Sequence, residues 1–255
     1  MKPYLKYLLI LFFTIFSLYY TDKVIELSEY NNTILTSIND YASVYDNECI
    51  EGYINKDGIV LGYSGIKIDK SKSYSNMKGI GFKKDLLEFK KNKCILNKED
   101  NLDKYILSGN NHEKNISLVI DMIDYKLYSK IESIKELESI NINYLVDKSH
   151  YDLENILYKT NKNDIKDFKK KASHFYCVNY NNYDLLEYCK KEKINTIKII
   201  NYIDKDLLLN TKKILDKGVI IFIKENNQNI IELDSTIKYI KSRGYRIVSI
   251  DELLS

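Results

Sequence analysis

From position 115 onward, short apolar runs alternate with longer amphipathic stretches, and this alternation constrains the fold more than any other feature of the chain. Strands are predicted at 116–121, 144–147, 175–178, 196–200, 219–224 and 246–250. Helices are predicted near 125–140, 151–171, 182–193, 205–216 and 230–243. Val219-Ile220-Ile221-Phe222-Ile223 is apolar throughout, as a strand buried on both faces should be. Repeated βα units with right-handed crossovers give a parallel sheet or a barrel. Six visible strands fall short of eight, so the expected class is α/β, with an incomplete or distorted (β/α) barrel over 115–255.

The preceding 114 residues read differently. Residues 7–20 are an unbroken, nearly all-apolar run preceded by Lys2 and Lys6. A secretory signal has this shape, but no small-residue cleavage site follows. A spanning helix needs about 20 residues, or about 17 at the low end. The reading is therefore an uncleaved transmembrane anchor over 1–21, with membrane contact through 4–20. The positive-inside rule then places the bulk of the chain outside the cytoplasm. A cleaved signal and a buried core helix are the alternatives. Residues 22–47 read as a helical stalk, with Val24, Leu27, Ile34, Leu35 and Ile38 on one stripe; a helix packed on the main domain reads equally well. Residues 48–105 read as a small α+β domain. It has β-like runs at 58–62 and 65–68, a helix over 71–78 closed by Gly79 and Gly81, and another short strand around Leu86, Leu87 and Phe89.

Composition limits the function classes. The chain has 255 residues, and 39 basic side chains nearly balance 36 acidic ones. No basic block marks a nucleic-acid footprint, so no nucleic-acid partner is expected. The 23 tyrosines could serve a sugar-stacking surface, although an A/T-rich genome bias explains much of that excess. Four cysteines form no CxxC, which removes support for a zinc ribbon or thioredoxin site. Outside the cytoplasm Cys49 could pair with Cys94, and Cys177 with Cys189; a reducing habitat would leave all four free. The histidines are His112, His150 and His174. His112 reads as a solvated linker residue and His174 as a loop residue preceding a strand.

The C-terminal third carries a resemblance. Gly218-Val219-Ile220-Ile221-Phe222-Ile223-Lys224 is followed by a polar loop, a helix from Leu233 to Ser242, and Gly244-Tyr245-Arg246 leading to Glu252-Leu253-Leu254. This resembles the close of the polysaccharide deacetylase (NodB-homology) domain. Phe175-Tyr176-Cys177-Val178 and the helix after it stand where that family has Arg-Pro-Pro-Tyr-Gly. Residues 116–121 stand where it has its Asp-Asp strand, and Ile142-Asn143-Tyr144-Leu145-Val146 matches the strand that follows. The 48–105 unit looks like the extra domain preceding such domains in some membrane-anchored relatives.

The resemblance implies metal-assisted removal of acetyl groups from a glycan. One Asp and two His would hold a divalent metal, commonly zinc, with a second Asp as base and a His as acid. The motifs are degenerate here. The Asp pair has become Asp121-Met122, no His-x-x-x-His remains, the Arg is gone, and Lys224 stands at the catalytic His. The resemblance thus implies a catalytically degenerate, deacetylase-like pseudoenzyme of the cell envelope with no cofactor, binding cell-wall glycan or an envelope protein. Asp121, Lys224 and Tyr176 would be its vestigial rim, and Asp147, His150 and Tyr176 its substrate contacts. An Asp121–Lys224 ion pair is expected to plug the former metal site; a residual sugar or peptide pocket is the alternative. The rival reading is an active, divergent deacetylase with zinc or another divalent metal on Asp121 and His150.

Overall fold

The computed structural model describes residues 3–146, 156–159, 165 and 175–255. It divides into two compact units, one of residues 1–48 with 65–92 and one of residues 49–64 with 93–255. The sequence-based partition differs from this. The 48–105 segment is not a domain by itself, because its middle packs on the N-terminal helix while its two ends enter the large sheet.

In the first unit, helix α1 runs unbroken over Pro3–Tyr45. Its apolar N-terminal part is fully exposed within the unit and is long and apolar enough to cross a membrane. Further along, Ile34, Ile38 and Ala42 recur at helical spacing and bury against Ile68 and Met77. Val24, Leu27 and Leu35, expected on the same stripe, are exposed. Strand β3 (Gly65–Ile68) pairs antiparallel with β4 (Phe89–Asn92). Helix α2 (Lys70–Met77) lies between them in sequence, and its first turn is capped by Asp69, whose side chain accepts from Lys72 N at 3.2 Å. The strand expected around Leu86 and Leu87 is instead a 3₁₀ turn over Lys84–Leu86, and β4 begins only at Phe89.

The second unit is built on one sheet, in spatial order β1 (Tyr53–Asn55), β2 (Gly58–Val60), β5 (Tyr105–Ser108), β10 (Thr196–Lys198), β9 (Cys177–Asn179), β8 (Ile156–Lys159), β7 (Ile142–Val146), β6 (Asn115–Asp121), β12 (Ile220–Lys224) and β11 (Asn201–Ile203). Only β1 runs antiparallel to its neighbour. The short strand β13 (Arg246–Ile247) adds to the start of β6. Helices α3 (Tyr128–Glu138), α4 (Tyr183–Lys191), α5 (Leu207–Ile214), α6 (Asn227–Ser242) and α7 (Ile250–Leu253) follow β6, β9, β11, β12 and β13.

Two residues, Ile199 and Ile200, separate β10 from β11, yet five strands lie between them in the sheet. Such a link reaches about 10 Å, whereas six flat strand spacings would need about 29 Å. The sheet must therefore curl until β10 and β11 meet, which gives the distorted barrel the alternation predicted. Side-chain parity fits this. Val119, Leu145, Leu157, Val178, Ile197, Ile220 and Phe222 share the inner cluster. Leu118, Ile120, Tyr144, Val146, Tyr158, Ile221 and Ile223 lie in the outer one, with Ile131, Ile230, Leu233 and Ile237 of the helices. The chain end closes the N-terminal mouth. Val248, Ile250, Leu253 and Leu254 enter the inner cluster, Ser117 Oγ donates to Val248 O at 2.6 Å, and Ile250 N donates to Asn143 Oδ1 at 3.1 Å.

Both cysteine pairs are disulfides. Cys49–Cys94 has its Cα atoms 5.3 Å apart and Cys177–Cys189 has them 6.6 Å apart, within the usual span for a bridge.

Candidate functional site

The strands of a parallel barrel present their last inward-facing residues at the C-terminal mouth, where loops leave room for chemistry. On β6 this residue is Asp121, in phase with Ser117 and Val119. On β8 it is Lys159, in phase with Leu157. On β12 it is Lys224, in phase with Ile220 and Phe222. These three side chains, with Tyr202 of β11 and Tyr180 just past β9, are polar groups of the mouth among the described residues.

Asp121 is the centre of the arrangement. Its carboxylate is largely buried. Lys159 Nζ lies 2.6 Å from Oδ1, and the Tyr202 hydroxyl donates to Oδ2 at 2.9 Å. Lys159 Nζ also donates to the Met122 carbonyl at 3.0 Å. Burial, and then the hydrogen bond to Asp121, push the Tyr202 phenol well above its usual range, so it stays a donor. Tyr180 packs its ring 6.1 Å from that of Tyr202. Beside this cluster opens a cleft of about 720 Å³, lined by Asp121, Lys159, Asn179, Tyr180, Asn182 and Leu185 among others.

The expected Asp121–Lys224 pair is not formed. The two residues are direct cross-strand partners, but the Lys224 ammonium turns to Asp204, 2.6 Å away. That carboxylate raises the Lys224 pKa. Asp204 directly follows β11, and buried Asn229 fixes this corner by donating to the carbonyls of Asp204 at 3.1 Å and Lys224 at 3.0 Å. The ammonium on Asp121 is Lys159, because 156–159 is a strand rather than part of a helix over 151–171. The signal was present in the sequence. Ile156-Leu157-Tyr158-Lys159 ends an apolar run in lysine, just as Ile223-Lys224 does.

Tyr176 is not at this mouth. It precedes β9, so it belongs to the opposite, N-terminal end of the barrel. There Lys98 Nζ donates to its hydroxyl at 3.2 Å and to the Leu254 carbonyl at 2.7 Å. Burial and the nearby Asp251 carboxylate raise its phenol pKa. Tyr176 thus closes the core and does not line the cleft. Asp147 and His150, the other expected substrate contacts, lie outside the described residues, as does His174. His112 is exposed in the loop before β6, as expected.

One residue that shapes this mouth has no signal in the sequence. Glu225, buried directly after β12, accepts from the backbone N–H groups of Ile123 at 2.6 Å, Asp124 at 3.1 Å, Tyr125 at 3.3 Å and Leu127 at 3.2 Å. A single carboxylate therefore holds the loop that follows Asp121, including Tyr125 at φ 61°. Four donors on one anion are a strong, charge-assisted clamp.

The described donor set does not fit a divalent metal. Around Asp121 the groups within reach are an ammonium, a neutral phenol and one backbone carbonyl. Zinc wants three or four thiolate, imidazole or carboxylate ligands. A unit positive charge about 4 Å from a cation costs ~1 kcal/mol in water and ~4 kcal/mol near a protein surface for each charge on that cation.

The fold is shared with solved proteins. A mutant of a family 4 carbohydrate esterase (CE4) pseudoenzyme is similar with a TM-score of 0.62 and 18% identity, over 88% of this chain and 98% of that one. The wild-type CE4 pseudoenzyme from Bacillus anthracis is similar with a TM-score of 0.60 and 18% identity, over 88% and 95%. The family 4 carbohydrate esterase PdaA of Bacillus subtilis is similar with a TM-score of 0.50 and 17% identity, over 61% and 86%. No protein-family model matches the chain, and no curated protein matches it. The chain therefore has the polysaccharide deacetylase fold, that of the family 4 carbohydrate esterases. The first two of these structures are forms of a pseudoenzyme.

Proposed function

We propose that this chain is a catalytically silent, deacetylase-like protein of the cell envelope, anchored by α1, whose C-terminal mouth binds glycan without hydrolysing it. The observation that carries the reading is the Asp121–Lys159 contact of 2.6 Å. The carboxylate that a deacetylase would use for metal or base is neutralised by a tethered ammonium. With an ammonium on one oxygen and a phenol on the other, the carboxylate leaves neither oxygen open to take a proton from a bound water. The cleft beside it keeps the means of binding. Tyr180 is 57% exposed and offers an aromatic face to a sugar ring, and Asn179 and Asn182 line the wall. An envelope protein as the partner, instead of glycan, is the alternative occupant.

The test uses the full chain in detergent, purified with zinc, cobalt or manganese supplied. Metal content is read beside binding to immobilised peptidoglycan. The reading predicts no stoichiometric metal, together with glycan retention weakened by Tyr180→Ala. One metal per chain, lost in Asp121→Asn or His150→Ala, would establish the active alternative instead.

A further inference from the structure

The mismatch between this mouth and a metal centre has a specific author in the chain. Lys159 Nζ makes two oxygen contacts, 2.6 Å to Asp121 Oδ1 and 3.0 Å to the Met122 carbonyl. One carboxylate and one backbone carbonyl converging on a positive charge are what a hard cation takes from a protein. The nitrogen comes from the end of β8, and both oxygens from the end of β6. The two strands flank β7, so the ammonium reaches across one strand to the oxygens. Tyr202 holds the second carboxylate oxygen at 2.9 Å, which keeps the first one turned toward Lys159.

We infer that Lys159 is a built-in cation: its ammonium fills a hard-cation position formed by Asp121 and the Met122 carbonyl, and thereby keeps divalent metal out of the mouth. This inference rests on the silent-site reading and deepens it, because it names the residue that enforces silence. Among the described residues the site it guards offers oxygen alone, so the ion admitted on its removal is manganese-like or calcium-like and not zinc. Water would complete the coordination shell, as is usual for such ions. Lys159 is thus a specificity-determining residue for cation binding.

The experiment is a manganese titration of the full chain in detergent, followed by electron paramagnetic resonance of free and bound ion. Wild type is compared with Lys159→Met, which keeps the aliphatic stem and drops the charge. Lys159→Arg keeps the charge, and Lys159→Met with Asp121→Asn removes the ligand. Lys159→Gln is the second route if Lys159→Met does not fold by circular dichroism. The expected result is a new site in Lys159→Met or Lys159→Gln, at least about tenfold tighter than any site in wild type, given the repulsion removed. That site is absent from Lys159→Arg and from the double variant. Folded Lys159→Met and Lys159→Gln that bind no more manganese than wild type would overturn this inference and leave the silent-site reading standing. Manganese bound by wild type and lost in Asp121→Asn would overturn the silent-site reading as well.

Discussion

At the scale of single residues, the mouth is governed by two carboxylates with opposite fates. Asp121 is held by an ammonium and a phenol, whereas Glu225 is held by four backbone N–H groups. Removing Glu225 strands those donors and frees the 122–127 loop. Glu225→Ala is expected to cost about 2–3 kcal/mol of unfolding free energy, and Glu225→Gln about half of that. Urea denaturation checks this, and a loss under about 0.5 kcal/mol for the alanine variant would show that the loop is held elsewhere. The phenols of Tyr144, Tyr176 and Tyr202 give a second prediction. Burial comes first among the causes that raise all three, with Glu132 also raising Tyr144, and Asp121 Tyr202. A raised phenol stabilises the fold below the unfolded value of about 10 and loses that contribution as pH climbs beyond it. The urea midpoint should therefore fall between about pH 9 and about pH 11, and fall less in Tyr144→Phe. An equal fall in both proteins would place the alkaline loss on other groups.

At the scale of elements, the alternation of apolar and amphipathic runs located the strands at the heart of the barrel but missed β5, β8 and β11. β12 is apolar from Ile220 to Ile223 and is legible at once. β8, β11 and β5 are strands of three or four residues, too short to show a period against their neighbours. Missing β8 had a chemical consequence. A helix over 151–171 gives Lys159 no defined direction toward the mouth, so that reading points to Lys224 as the lysine facing Asp121. Chain order could not reveal Asp204 either, because it reaches Lys224 only through the pairing of β11 with β12. Tyr176 was misplaced by one end of a strand, since β9 starts at Cys177 and ends at Asn179. A glycine sets the entry to the central strand. Gly218 has φ +76°, and a Cβ there would stand 2.5 Å from the Asn110 carbonyl oxygen and 2.6 Å from that of Gly109. Gly218→Ala should destabilise by more than about 1 kcal/mol, read as a lower thermal midpoint. An unchanged midpoint would mean that the 109–110 turn yields freely.

At the scale of the molecule, the barrel class and the unbroken apolar helix were legible because each rests on a long pattern. The division into units was not, because 65–92 packs on α1 while its flanks enter the sheet, and no compositional break marks either crossing. The two disulfides belong to the second unit and close loops of different length, with sequence separations of 45 and 12. Full reduction should cost about 2–4 kcal/mol for each bridge under the chain-entropy account. A thermal midpoint unmoved by a thiol reductant, with free thiols confirmed, would deny them a stabilising role. We propose that the barrel keeps the fold of a deacetylase without the reaction. Acetate release from peptidoglycan and acetylated chitooligosaccharide tests it most directly, with the full chain, each divalent metal in turn, and Asp121→Asn as the reference. Release no greater than that of the reference under every metal is the predicted result. Metal-dependent release that disappears in Asp121→Asn would contradict the claim.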